Sequence, residues 1–246
     1  MLTGERKALI LDRLRREGRV LAKPLSEELG LSEDTIRRDL RELAGEGLLQ
    51  RVHGGALPAS PALAPLDIRE SVSPAGKIAI GRAAAEMVRP GQVVFLDGGT
   101  TAIQIARHLP PDLEATVVTH SPAVALELAR HPRLVVETIG GRLFRHSMVA
   151  VGAAAAEAIG RVRADLYFMG VTGIHPEIGL TTGDAEEAAI KRLLSTQAAE
   201  TVVLGSREKI GAVSAHKVVG WEAVDAVIVE RGTPGLRSVG VTVVEA

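Results

Sequence analysis

The sequence predicts a two-part α/β protein: a small unit of three helices and a hairpin wing, followed by a larger, doubly wound domain built on a mostly parallel sheet. Three observations predict it. Helical apolar stripes crowd into residues 1–57, a Pro/Ala/Ser-rich stretch follows at 58–73, and over 74–246 nearly continuous Val/Ile/Leu runs alternate with amphipathic segments. At 246 residues the chain exceeds one typical domain, and 46% hydrophobic with 24% charged residues is an ordinary globular composition.

Taken in order, Leu9, Ile10, Leu11 and Leu14 give a helical stripe over 3–17, with Arg6, Lys7, Arg13 and Arg16 left for the surface and Gly18 as the stop. Pro24 suits the first turn of a short second helix that ends at Leu29, and Gly30 supplies the break. Ser32 is a good N-cap, with Glu33 and Asp34 behind it, for a third helix through TIRRDLRELAGEG. The run LLQRVHGGAL then closes as a short hairpin wing. Residues 58–73 show no sustained periodicity and read as a semi-rigid connector. Beyond it, strands are expected at 93–97, 116–120, 134–141, 165–170, 201–205 and 225–230, with helices at TAIQIARHL, PAVALELARH and DAEEAAIKRLLSTQAA. Strands apolar on both faces, separated by amphipathic helices, imply a parallel sheet covered on both sides.

With no cysteine there is no disulfide framework, thiolate metal site or thiol nucleophile, and none of the seven histidines forms an HExxH pair. No catalytic residue, metal or cofactor is expected. No apolar run approaches the roughly 20 residues that cross a bilayer, and the start MLTGERKALILDRLRREG is charged, so no membrane partner and a cytoplasmic location are expected. A net charge of −1 gives no bulk field for nucleic acid, so affinity has to come from local clusters. One Trp, one Tyr and three Phe make a stacking platform for single strands improbable, which leaves double-stranded DNA.

Such a cluster lies on the third helix. Ile36, Leu40 and Leu43 share its inner face, so Asp34, Arg38 and Arg41 centre the outer one, edged by Thr35, Arg37 and Glu42. A guanidinium there forks onto guanine or grips a phosphate. Thr35 and Arg38 are assigned to base edges; Ser32, Arg37, Arg41 and, from the wing, Arg51 to phosphates, with His53 beside them. An isolated RRDLR is also what a merely solvated face looks like. The short helix and Gly turn before it and the wing after it favour a winged helix-turn-helix.

The stretch LSEDTIRRDLRELAGEGLLQRVHGGA resembles the signature of the DeoR family of bacterial transcription regulators. The resemblance implies a repressor of carbohydrate-metabolism genes and a homo-oligomer, dimer or higher. It also implies an effector domain resembling ribose-5-phosphate isomerase that binds a phosphorylated sugar or related metabolite.

VVFLDGGTTAIQIARHL places glycines and threonines between a strand and a helix, where free backbone N–H groups and the positive helix end form an anion site. Gly98 and Gly99 allow close approach, Thr100 and Thr101 add hydroxyls, and Asp97 is placed to accept from sugar hydroxyls. DGGTT occupies the position of the family's Asp-Ser-Gly-Thr-Thr loop, with Gly98 for serine. Thr119 and His120, Gly140 and Gly141, then Glu187, Lys191 and Lys209 lie at or near other strand ends. The resemblance gives Lys209, in SREKIG, the lysine of a family Asp-Ser-Ser-Lys-Phe-Gly motif that neutralises phosphate; Ser206 stands for the Asp, and His120 for a common asparagine. The bland alternatives are a plain Gly-Thr turn, a hydrogen-bonded loop histidine, and Lys191 paired on a helix with Glu187.

A sugar-phosphate isomerase carrying a DNA-binding appendage is the alternative. It needs a positioned carboxylate base. The isomerases' Asp-Gly-Ala-Asp run has no counterpart after DLYFMG, where VTGIHPE follows, leaving only Asp97 and Glu187 as substitutes. A third alternative makes the winged helix a protein-interaction module.

Overall fold

The computed structural model describes residues 2–236 and 239–246. Its N-terminal unit runs α1 (Thr3–Glu17), β1 (Val20–Leu21), α2 (Ala22–Leu29), α3 (Glu33–Gly45) and a hairpin of β2 (Leu49–Val52) and β3 (Gly55–Pro58). The two-residue β1, too short to read from the sequence, pairs antiparallel with β3 and ties the wing to the helices. Ile10, Leu14, Val20, Leu25, Ile36, Leu40, Leu43 and Leu49 close a small core. Gly30 ends α2 in the left-handed conformation at φ 65°, which an L-residue adopts only at a penalty, and Ser32 caps α3 by accepting from Thr35 N at 3.2 Å. Arg6, expected at the surface, is buried: its guanidinium forks onto Asp39 of α3, itself only 1% exposed. This ion pair fixes α1 against α3 in a way apolar periodicity does not reveal.

The stretch 58–73 is not bare connector. It holds a 3₁₀ turn at Pro61–Leu63 and a short α4 (Leu66–Glu70). Ala59 forms a parallel bridge with Val213, Ser60 Oγ donates to the Thr172 carbonyl, and Leu66 N donates to the His146 carbonyl at 3.2 Å. Backbone leaving the wing strand therefore runs directly along the larger domain.

There follow α5 (Pro74–Ala85), β4 (Val93–Leu96), α6 (Thr100–His108), β5 (Thr116–Thr119), α7 (Pro122–Leu128) and β6 (Val135–Thr138). A hairpin of β7 (Arg142–Phe144) and β8 (Val149–Val151) leads to α8 (Ala153–Ile159) and β9 (Ala164–Gly170). The remainder is β10 (Gly173–His175), β11 (Gly179–Thr182), α9 (Ala185–Gln197), β12 (Ala198–Gly205), β13 (His216–Val219), β14 (Ala226–Val229) and β15 (Thr242–Glu245). Seven strands form one wholly parallel sheet in the order β15-β14-β12-β9-β4-β5-β6. Alternate residues of each strand feed two cores. Val94, Leu96, Val117, Leu166 and Phe168 pack with α5, α6 and α7, and Phe95, Val118, Tyr167, Met169 and Val203 with α8 and α9.

All six expected strands lie in this sheet. Its edge strand β15, the β7–β8 hairpin, the antiparallel β10-β11-β13 sheet and the Ala-rich helices α5 and α8 were not anticipated, because their runs are short or carry little periodic contrast. The chain leaves β4 outward through β5 and β6, then returns to lay β9 on β4's other side. The carboxyl ends of β4 and β9 thus form the switch point of a doubly wound sheet, where a crevice opens.

Candidate functional site

That crevice is lined by Gly98, Gly99, Thr100, Thr101 and Ala102 after β4, by Gly170, Val171 and Thr172 after β9, and by Thr182, Glu187 and Lys191. Ala62, Arg69 and Lys77, together with Glu208 and Lys209, complete the lining. Gly99 caps α6 at φ 105°, a conformation open mainly to glycine, and leaves the first N–H groups of the helix without intrahelical partners. A Cβ at Gly98 would run into Val149, so the family's serine does not fit this packing.

Sequence reasoning missed Arg69, Lys77 and Glu208, and of these Arg69 matters most. Arg69 sits on α4, 9% exposed, and its Nε and Nη2 are buried with no hydrogen-bond partner among the described residues; Thr101 Oγ1 is orphaned likewise. Burial draws the guanidinium below its ordinary value, against the pull of Glu187 and Asp97. Lys77 Nζ is pinned by the Arg69 carbonyl at 2.7 Å and lies 3.5 Å from Glu208; burial lowers it too. Lys209 Nζ donates to the Leu204 carbonyl at 3.1 Å, and burial pulls it down to about 8. Four cations, Arg69, Lys77, Lys191 and Lys209, thus face two carboxylates, Glu187 and Glu208, in the lining.

Asp97 lies behind this wall, not in it. Its Oδ1 accepts from Gly98 N (2.7 Å) and from the His120 ring at Nε2 (2.9 Å), and its Oδ2 from Tyr167 Oη (3.0 Å), Gly170 N (2.8 Å) and Lys191 Nζ (2.7 Å). Both oxygens are committed, and the group is fully buried. The expectation that Asp97 receives sugar hydroxyls is corrected accordingly: it clamps β4, β5, β9 and α9 together. His120 serves the same clamp, its Nδ1 facing the Ala150 carbonyl at 2.9 Å. Thr119 Oγ1 accepts from Ser121 N at 3.1 Å, and Gly141 allows close approach to Val151 and Ala155 at the base of the β7–β8 hairpin. Neither these two nor Gly140 lines the crevice. Gly98, Gly99, Thr100, Thr101, Glu187, Lys191 and Lys209 are brought together there. Glu187 accepts from Thr182 Oγ1 at 2.9 Å and lies 3.4 Å from Lys191.

On the N-terminal unit, Arg38 and Arg41 are exposed on α3 opposite Ile36, Leu40 and Leu43. Arg37 is held by Glu33 at 2.8 Å, and Thr35 shares a hydroxyl contact with Ser32 at 2.9 Å. Arg51 on β2 and His53 at the wing turn are exposed. Among the described residues no helix is long and apolar enough to cross a membrane, and no group of three or more His, Asp or Glu side chains is placed to hold a metal.

Comparison with known proteins bears on both units. The "DeoR-like helix-turn-helix domain" family matches residues 6–61 and the "DeoR C terminal sensor domain" family residues 73–231. The HTH-type transcriptional regulator GlpR of Haloferax volcanii is 38% identical over 253 residues, covering 100% of this chain and 98% of its own length. The glycerol-3-phosphate regulon repressor of Escherichia coli K12 is 30% identical over 226 residues, 92% of this chain and 90% of its own. A solved ribose 5-phosphate isomerase from Methanocaldococcus jannaschii aligns over 55% of this chain and 53% of its own, with TM-score 0.41 and 18% identity. The named relatives are regulators and repressors, not enzymes. With both family matches in chain order over most of its length, this chain belongs to the DeoR family of helix-turn-helix transcriptional regulators.

Proposed function

We propose that this chain represses transcription by gripping operator DNA with α3 and the β2–β3 wing, and that a phosphorylated small metabolite in the crevice controls the grip. One observation carries the effector half: a buried, unpartnered guanidinium beside the amino end of α6. Buried donors left unbonded are expensive, and a phosphate supplies the acceptors and charge that Arg69, Thr101 and the helix end lack. An adjoining chamber of about 300 Å³, lined by Leu63, Phe144, His146, Ser147, Asp184 and Glu187, gives room for the rest of the molecule. Arg69 and Ala62 belong to the same backbone that leaves the wing strand, so an anion that engages Arg69 acts on the segment carrying β3.

The test is a thermal-shift screen pairing phosphorylated sugars and polyols with their unphosphorylated forms; at 100 times its Kd a ligand adds about 2.7 kcal/mol. Equal shifts from both members of every pair discard the phosphate assignment. Lys209 gives a pH signature. A cation below pH 8 and neutral above, it strengthens anion binding only on the acid side, while the phosphate is already largely dianionic at pH 7. Affinity for phosphate, followed by calorimetry, is expected to fall between pH 7 and pH 9; a flat profile removes Lys209 from the contact set.

For the DNA half, Arg38→Ala is expected to cost about 1–3 kcal/mol at the operator and to flatten discrimination against mismatched sites. Parent binding is expected to weaken with salt at a slope of about −0.9 per neutralised phosphate. Unchanged discrimination in the variant, read by competition against scrambled duplexes, would take Arg38 out of base reading.

A further inference from the structure

Strand β6 ends the seven-stranded sheet, with no strand beyond it among the described residues. Val135 N donates to the Ala115 carbonyl at 3.0 Å and Ile139 N to the Thr119 carbonyl at 2.9 Å, so odd-numbered residues bond inward to β5. The N–H and C=O groups of Leu134, Val136 and Thr138 therefore point to the open edge. Side chains alternate in step. Leu134 and Val136 lean on the core, while Arg133, Val135 and Glu137 are exposed together, Val135 at 56%. An unguarded edge with an apolar residue at its centre is a template for another strand.

We propose that a second copy of this chain pairs here, antiparallel, about a two-fold axis passing through Val135. A two-fold axis perpendicular to the sheet places same-face residues opposite one another, so it has to pass through a residue position. Centred on Val135, it sets Arg133 against Glu137 of the partner subunit, and Glu137 against the partner subunit's Arg133. An opposite-charge pair then stands on each side of a valine contact. Because Val135 bonds inward, it meets its counterpart as a non-hydrogen-bonded pair, the arrangement with the closest side chains, and Leu134 and Val136 exchange the ladder hydrogen bonds with the facing strand. Centring on Val136 instead sets Val135 against a carboxylate and Arg133 against an isoleucine. The charge order of this one strand thus selects a single register. Within the chain Arg133 lies 3.0 Å from Glu114, both largely exposed, a surface pair too weak to compete.

The test is sedimentation equilibrium on the full chain, with far-UV circular dichroism confirming the fold. Arg133→Glu or Glu137→Arg alone places like charges at both ends of the pairing and is expected to weaken self-association about tenfold or more. The double variant R133E/E137R restores the complementary order and is expected to recover the parent association constant, which loss of a merely stabilising surface charge would not do. Val135→Lys sets two ammonium groups on the axis and is expected to give monomer. Single reversals that leave association within twofold, a double variant that does not recover, or a parent chain monomeric at every concentration would each overturn the proposal. Neither ligand nor DNA enters the measurement, so its failure leaves the crevice assignment standing.

Discussion

Replacing Arg69 with methionine is expected to abolish the response to phosphorylated ligands while leaving the ligand-free protein as stable as the parent, or more so. The guanidinium is nine-tenths buried and two of its nitrogens have no acceptor among the described residues. Leaving such donors unbonded costs about 1–3 kcal/mol, so an apolar side chain of similar length removes a penalty. For a chain of this size a gain of about 1 kcal/mol appears as a rise of roughly 2–4 °C in Tm. In the proposed liganded state the same nitrogens would face phosphate oxygens, and charge-assisted bonds are worth about 1.5–3 kcal/mol each. Losing two of them lowers affinity on the order of a hundredfold or more. Calorimetry with the best compound from the thermal screen reads the affinity, and DNA binding by the variant is expected to persist without effector control. A variant that melts several degrees lower yet still responds would make Arg69 a structural residue.

Asp97→Asn is expected to have the largest effect on stability. Five donors converge on this carboxylate, and an amide presents an NH₂ where one oxygen was, leaving buried Lys191 with only the longer 3.4 Å pair to Glu187. Breaking a buried ion pair from one side costs about 3–5 kcal/mol, a fall in Tm of roughly 10 °C. The pH dependence has a definite sign. Burial alone would raise the carboxyl, but Lys191 and His120 outweigh it and hold Asp97 below its ordinary value of 3.8. A group depressed in the folded state contributes stability that is complete above its unfolded-state pKa near 4 and is lost as pH falls below it. The parent's Tm is therefore expected to drop more steeply than the variant's below about pH 4, and parallel acid limbs would contradict the clamp.

How much was legible in advance follows from the range of the interactions. The α3 stripe was readable because Ile36, Leu40 and Leu43 obey a local period, and β4 with its Gly-Gly-Thr-Thr turn because strand, turn and helix are consecutive in the chain. Asp97 was placed correctly and its role misjudged, because Tyr167, Gly170 and Lys191 come from 70 to 94 residues away. Arg6 and Arg69 were hidden by a different effect. A charged residue reads as surface unless its burial is known, and Arg69 lies in a Pro/Ala/Ser-rich segment whose composition resembles a tether. The thin edge strand β15 and the β7–β8 hairpin depend on pairing partners, which no window of sequence contains.

The passage from the wing strand through Ala59, Ser60 and Ala62 to Arg69 also bears on recombining such regulators. A chimera spliced just ahead of Ala59 joins a foreign helix-turn-helix unit to a larger domain that keeps Arg69 and the bridge to Val213. One spliced near Ser73 discards Arg69 from the crevice lining and the strand bridge from Ala59 to Val213.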